Sequence, residues 1–206
     1  MNFRSDNEVG AHPAIIEAVS RAFSGGSAPS YGADAWTHKV EQRLRDLFER
    51  PDLVAFPVAT GTAANVLSLA CCTPPWGAIF CHPAAHILVD EANAPEFFTS
   101  GAKLCTVGGA SGKIDPRKLA ETLAEPVYGV VHHPQPAAVS ITQATESGTV
   151  YGPEEVAAIA TSTAQGVTAS YVDDVLLGIG DQHAFLGGVE HRGGLAQAVL
   201  VGAALG

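Results

Sequence analysis

The sequence predicts an α/β domain of three layers, with helices on both faces of a mostly parallel sheet. Two observations carry that expectation. From residue 53 onward, short apolar runs rich in β-formers alternate with stretches of helical periodicity. The first such pair, LVAFPVATGTAANVLSLACC at 53–72, joins a strand to a helix through a small polar turn. With 206 residues, 47% of them hydrophobic, the chain is long enough for one domain with a substantial core.

Three segments are expected: an N-terminal helical segment over 1–50, the α/β domain over 51–175 and a C-terminal tail over 176–206. In the first, Pro13 suits the opening turn of a helix over 13–23, whose apolar stripe is Ile15, Ile16, Val19 and Phe23. A Gly/Ser/Pro loop over 24–33 carries one aromatic, Tyr31. It is either a plain connector or a means of bringing Tyr31 and Asp34 to a site. An amphipathic helix over 36–48 follows, with Val40, Leu44 and Leu47.

After the strand–turn–helix of 53–72, a second strand is expected at 78–81, leading into His82-Pro83-Ala84-Ala85-His86. A helix over 91–100 closes on Gly101, and 103–107 is a third strand. Asp115 caps a helix that Pro116 opens and that runs to Leu123. Two further apolar runs lie at 128–131 and 137–141. A helix over 153–160 and a strand over 167–172 end the pattern, at Asp173-Asp174. Residues 161–206 hold no lysine and five charged residues. Their last apolar run, 196–205, fits either a helix or a strand.

The formal net charge of −10 argues against a nucleic-acid or anionic-membrane partner. No run of about eighteen apolar residues marks a membrane span. The polar start MNFRSDNEVG does not resemble a signal peptide. Four cysteines, Cys71, Cys72, Cys81 and Cys105, form no C-x-x-C pair, which points to a reducing cytosol; the adjacent pair is expected to be buried.

The turn Ala59-Thr60-Gly61-Thr62 presents free backbone N–H groups at a helix N-terminus, an anion site that a phosphate commonly fills. Its other reading is a threonine cap on an ordinary strand-to-helix turn. No Gly-Lys-Ser/Thr follows, so it is not a nucleotide P-loop, and a single glycine is not the dinucleotide fingerprint. In a parallel sheet the carboxyl ends of the strands bring together this turn, His86 and Asp173. Cys81, His82 and His86 could be drawn as metal ligands, but Pro83 interrupts them and no fourth ligand is near, so no metal is expected. No G-x-S-x-G elbow supports a serine hydrolase.

Five motifs in order, FRSDN at 3–7, SYGADAWT at 30–37, FPVATGTAANVLSL at 56–69, HPAAHILVDEANAPEFF at 82–98 and SITQATESGTVYGPEEVAAI at 140–159, resemble low-specificity L-threonine aldolase. That family belongs to the β-eliminating lyase group of pyridoxal 5'-phosphate (PLP) enzymes, with an aspartate-aminotransferase-like fold. The resemblance implies that the 51–175 segment is the PLP-binding domain and that the reaction cleaves L-threonine and similar β-hydroxy amino acids to glycine and an aldehyde. Gly61 and Thr62 are implied to hold the cofactor phosphate. His86 is implied to stack on the pyridine ring near the substrate hydroxyl, and Asp173 to pair with the ring nitrogen. Ser5 and Tyr31 are implied near the substrate or the neighbouring subunit's cofactor. His133, beside His132, is implied as a second active-site histidine. A cytoplasmic homodimer or homotetramer is implied.

The chain departs from the family at two places. Where the family has Asp-Gly-Ala/Ser-Arg, this chain has Asp173-Asp174-Val175-Leu176, without the arginine that grips the substrate carboxylate. The last lysine is Lys118, whereas the family's cofactor-linked lysine comes after that motif. Alternative readings are therefore a non-catalytic, truncated or frameshifted fragment, or another β-eliminating amino-acid lyase of the same fold.

Overall fold

The computed structural model describes residues 10–124 and 129–162, together with the backbone of three further strands between 168 and 202. Helices α1 (Pro13–Ser24) and α2 (Ala35–Leu47) come first. The Asp34 carboxylate caps α2: its Oδ1 accepts from Trp36 N and Thr37 N, both at 2.9 Å, and its Oδ2 from the Thr37 hydroxyl at 2.6 Å. Those bonds, led by the Thr37 hydroxyl, hold the Asp34 carboxyl below its usual range.

Among the described residues seven strands form one sheet: β1 (Val54–Val58), β2 (Gly77–Cys81), β3 (Lys103–Thr106), β4 (Gln135–Thr142), β5 (Thr168–Val172), β6 (Val175–Gly178) and β7 (Ala198–Gly202). Their order is β1-β7-β6-β5-β4-β2-β3. Only β6 is antiparallel to its neighbours; the rest run in one direction. The mostly parallel α/β architecture expected from the sequence is the one found.

Side-chain alternation along β2 explains the layering. Ala78 and Phe80 point to one face, where they pack with Leu119 of α6 (Pro116–Ala124) and Val156 and Ile159 of α7 (Pro153–Ser162). Ile79 and Cys81 point to the other, against Leu69 of α3 (Gly61–Cys72) and Ile87 of α4 (His86–Val89). All five residues of β2 are buried, as befits a strand covered on both sides. Gly77 opens it because a Cβ there would come within 2.6 Å of Thr73 Cγ2 and 2.9 Å of the Pro74 carbonyl. A smaller cluster seats Leu53 and Ala55 on Leu44 and Phe48, tying α2 to β1.

The structure departs from the sequence expectations in three places. The helix expected over 91–100 shrinks to the short α5 (Ala94–Phe98), because Ala92 and Asn93 take the left-handed conformation with φ of 49° and 62°, and α4 precedes the expected range. The adjacent cysteines are not both buried: Cys71 is exposed and Cys72 half-buried, since Cys71 lies one turn beyond the exposed Leu67 on the outward face of α3. The domain expected to stop at 175 takes in β6 and β7 as well, and the apolar run of 196–205 supplies a strand. Cys81 is the buried thiol, pushed up to about 12 mainly by its burial.

Ile79 is fully buried at the centre of β2. Ile79→Ala should lower the unfolding free energy by about 2–5 kcal/mol through lost transfer energy and the cavity left behind. A urea titration would read this as a lower midpoint with an unchanged slope.

Candidate active site

At the carboxyl edge of the sheet three loops bring polar groups together. The first is the β1–α3 turn. Thr60 is extended, and its hydroxyl accepts from Ala63 N at 3.1 Å, while its carbonyl accepts from Ala64 N. Among the described residues the N–H groups of Gly61 and Thr62 have no protein partner. They are the donors that a helix start leaves for an anion. A Cβ on Gly61 would meet nothing within 4 Å, so the space in front of this turn is open.

The second loop follows β2. His82 Nδ1 accepts from Ala84 N at 3.1 Å, and His82 Nε2 donates to the Gly109 carbonyl at 3.3 Å. That carbonyl's residue must be glycine, since a Cβ would lie 2.1 Å from the Lys113 carbonyl oxygen. Four residues on, His86 opens α4 with its side chain 45% exposed. Its Nδ1 donates to Glu91 Oε1 at 3.0 Å, and the same oxygen accepts from Asn65 Nδ2 at 2.6 Å. Asn65 lies one turn into α3, so two hydrogen bonds join His86 to the helix that begins at Gly61.

The third loop follows β4. A narrow cleft there is lined by His82, Ser140, Thr142, Thr145, Glu146 and Tyr151. Thr145 holds the loop: its hydroxyl accepts from Ser147 N and Thr149 N and reaches the Ser111 carbonyl at 3.2 Å. The buried Tyr151 hydroxyl accepts from Ile114 N at 2.7 Å, and burial raises it above the usual phenol range.

The residues singled out from the sequence fall as follows. Gly61, Thr62 and His86 share the carboxyl edge. Tyr31 lies in the α1–α2 loop, fully exposed with a φ of 62°, and Asp34 in the same loop is occupied as the α2 cap. His133 does not join them: it precedes β4, at the opposite, amino edge, with its ring edge-on to His132 at 4.6 Å. A histidine before a strand of a parallel sheet starts on the wrong side for that site. Ser5 and Asp173 lie outside the described residues. Leu176, in the family arginine's place, is in the antiparallel β6. Of the lysines, Lys39 is on α2, Lys103 opens β3, Lys118 is on α6, and Lys113 is paired with Glu155 at 2.7 Å. Sequence reasoning missed Asn65 and Glu91, which look like ordinary helix residues until the fold buries them.

Helices on both faces of a mostly parallel sheet, with the polar groups gathered at its carboxyl edge, define an α/β domain of the threonine aldolase kind. The structure of Leishmania major threonine aldolase matches it with a TM-score of 0.71 at 28% identity, over 81% of this chain and 48% of that one. A methionine aminotransferase of Escherichia coli shares the fold at 16% identity, with a TM-score of 0.57 over 80% of this chain and 43% of that one. The beta-eliminating lyase family model matches residues 2–173, and the chain belongs to that family. It is 40% identical over 157 residues to the low specificity L-threonine aldolase of a Pseudomonas species, and 39% identical to that of Pseudomonas aeruginosa. Each alignment covers 76% of this chain and 44% of the relative, so the chain spans less than half the length of the curated relatives it matches. Among the described residues no helix is long and apolar enough to cross a membrane.

Tyr151→Phe removes the acceptor of a buried N–H. It should cost about 1–3 kcal/mol, the penalty of leaving that donor unpaired. Chemical denaturation checks the loss, and accelerated hydrogen exchange at the Ile114 amide would locate it.

Proposed function

We propose that this chain is the cofactor-binding portion of a PLP-dependent lyase that cleaves L-threonine and similar β-hydroxy amino acids to glycine and an aldehyde. One observation carries the reading: an open, unpartnered helix start at Gly61–Thr62 is joined through Asn65 and Glu91 to a half-exposed histidine. The N–H groups of Gly61 and Thr62 would hold the cofactor phosphate, and the His86 ring would lie against the pyridine. Bound there, PLP would supply a sink for the electron pair left on Cα when the Cα–Cβ bond breaks. His86 is the base that takes the β-hydroxyl proton as the oxygen becomes the aldehyde carbonyl, a role that suits imidazole near neutral pH. Asp173 is assigned to the ring nitrogen, and Ser5 to the substrate end, by family resemblance. The free cysteines among the described residues fit a cytoplasmic setting.

The cofactor reading is tested by adding PLP to the labelled chain. Amide shifts should appear at Gly61 and Thr62, and Gly61→Asp, sterically open but anionic, should weaken binding tenfold or more. Product analysis then separates the reactions. Glycine with acetaldehyde from L-threonine supports the aldolase, whereas pyruvate with ammonia from amino-acid substrates supports another lyase of the family.

We further propose that two or more copies assemble through the N-terminal helices. α1 and α2 bury none of their residues; Ile15, Ile16, Val19 and Phe23 form an exposed stripe, and Tyr31 in the following loop is exposed too. An apolar face of that extent marks an interaction surface. Light scattering should give at least twice the 21.2 kDa of one chain, and Ile16→Glu with Phe23→Glu should shift it toward the monomer.

A further inference from the structure

Glu91 is an expensive residue to bury. Its side chain is 0% exposed, and only one of its oxygens is used. Oε1 accepts both bonds, from Asn65 Nδ2 and from His86 Nδ1, while Oε2 has no partner among the described residues. A carboxylate removed from water and given two donors on a single oxygen is poorly compensated. Leu69 and Ile79 fill the core nearby without such a cost. A buried, half-satisfied acid calls for an explanation, because it does not add stability.

The geometry shows what that is. An ionised carboxylate only accepts, so the Glu91 contact requires the His86 proton to sit on Nδ1. Nε2 then carries the lone pair, and among the described residues it has no protein partner. His82 supplies the contrast four residues earlier. There a backbone N–H donates to Nδ1, so the proton sits on Nε2 and is used up on the Gly109 carbonyl. Two neighbouring histidines are thus held in opposite tautomers, one closed by the protein on both nitrogens and one left open at Nε2.

We propose that Glu91 is a positioning residue: it keeps Nε2 of His86 free to accept a proton and, through Asn65, fastens the His86 ring to the helix that begins at Gly61. The proposal deepens the lyase reading and rests on it for the meaning of the free nitrogen. Because both bonds use Oε1, a glutamine can reproduce them with its amide oxygen, whereas a methionine of similar size cannot. The conservative variant should therefore rescue what the apolar one loses.

The test uses the full chain without cofactor, labelled with 15N-histidine, the His86 signals being assigned by their loss in His86→Gln. Wild type and Glu91→Gln should show a protonated Nδ1 and an unprotonated Nε2 at pH above the histidine titration. Glu91→Met should reverse the pattern or average the two nitrogens, with a cooperative melt retained. Loss of the melt in Glu91→Met alone leaves the wild-type and Glu91→Gln spectra to decide. A wild-type spectrum with the proton on Nε2, or a Glu91→Met spectrum identical to wild type, overturns the proposal. The tautomer is read before any PLP is added, so failure of cofactor binding at Gly61 would strike the lyase reading and leave this result standing.

Discussion

The constraint on which the rest depends is the separation of β1 from β2. They are consecutive in sequence, yet four strands lie between them in the sheet. Five strand spacings come to about 24 Å, and the twelve residues of α3 cover about 18 Å. The connection must therefore cross the sheet while it returns from the carboxyl to the amino edge, and α3 touches β7, β6, β5 and β4 on the way. One end sits at the β1 edge with its free N–H groups. Asn65, a turn further on, already reaches the loop after β2. The site exists because one helix is obliged to cross most of the sheet between two successive strands.

Much of this was legible in the residues. Short apolar runs rich in β-formers placed strands at 53–58, 78–81, 103–107 and 167–172 within a residue or two of β1, β2, β3 and β5. Pro13 marked the start of α1, and the Asp115 cap with Pro116 that of α6. What was not legible was decided by backbone conformation and by pairing over long distances. Nothing in the composition of EANAPEFF announces that Ala92 and Asn93 both turn left-handed and hold the helix off until Ala94. Strand order is equally invisible, since it depends on which apolar runs meet. The same holds for the site. His86 could be singled out because histidine carries its chemistry on its face, whereas Glu91 and Asn65 acquire theirs only from burial. His133 illustrates the converse: its residue type fits and its edge of the sheet does not.

The loops at the carboxyl edge are stiff for a chain so rich in glycine. The Ser111 carbonyl receives the Thr149 hydroxyl at 2.6 Å, and Gln143 Oε1 takes the Tyr151 amide at 2.6 Å. Glu155 accepts from Gly152 N while pairing with Lys113, whose side-chain bond does most to lower the Glu155 carboxyl below its ordinary range. Backbone groups that a loop leaves over are answered by side chains from a neighbouring loop, so the edge of the sheet behaves as one connected surface.

The place of β7 bears on how the molecule is made. β1 pairs with β7, Val54 opposite Ala198 through Val58 opposite Gly202. A ribosome therefore delivers β1 early and its partner near the end of this stretch. Throughout that interval β1 leaves the exit tunnel with its ladder groups unmatched, while β2, β3 and β4 can already associate. Such far-separated pairing slows folding and leaves an adhesive strand exposed to other nascent chains. The cluster of Leu53 and Ala55 on Leu44 and Phe48 is local enough to form first. It can serve as a holding contact, keeping β1 shielded on one side until the strand that completes it has been synthesised.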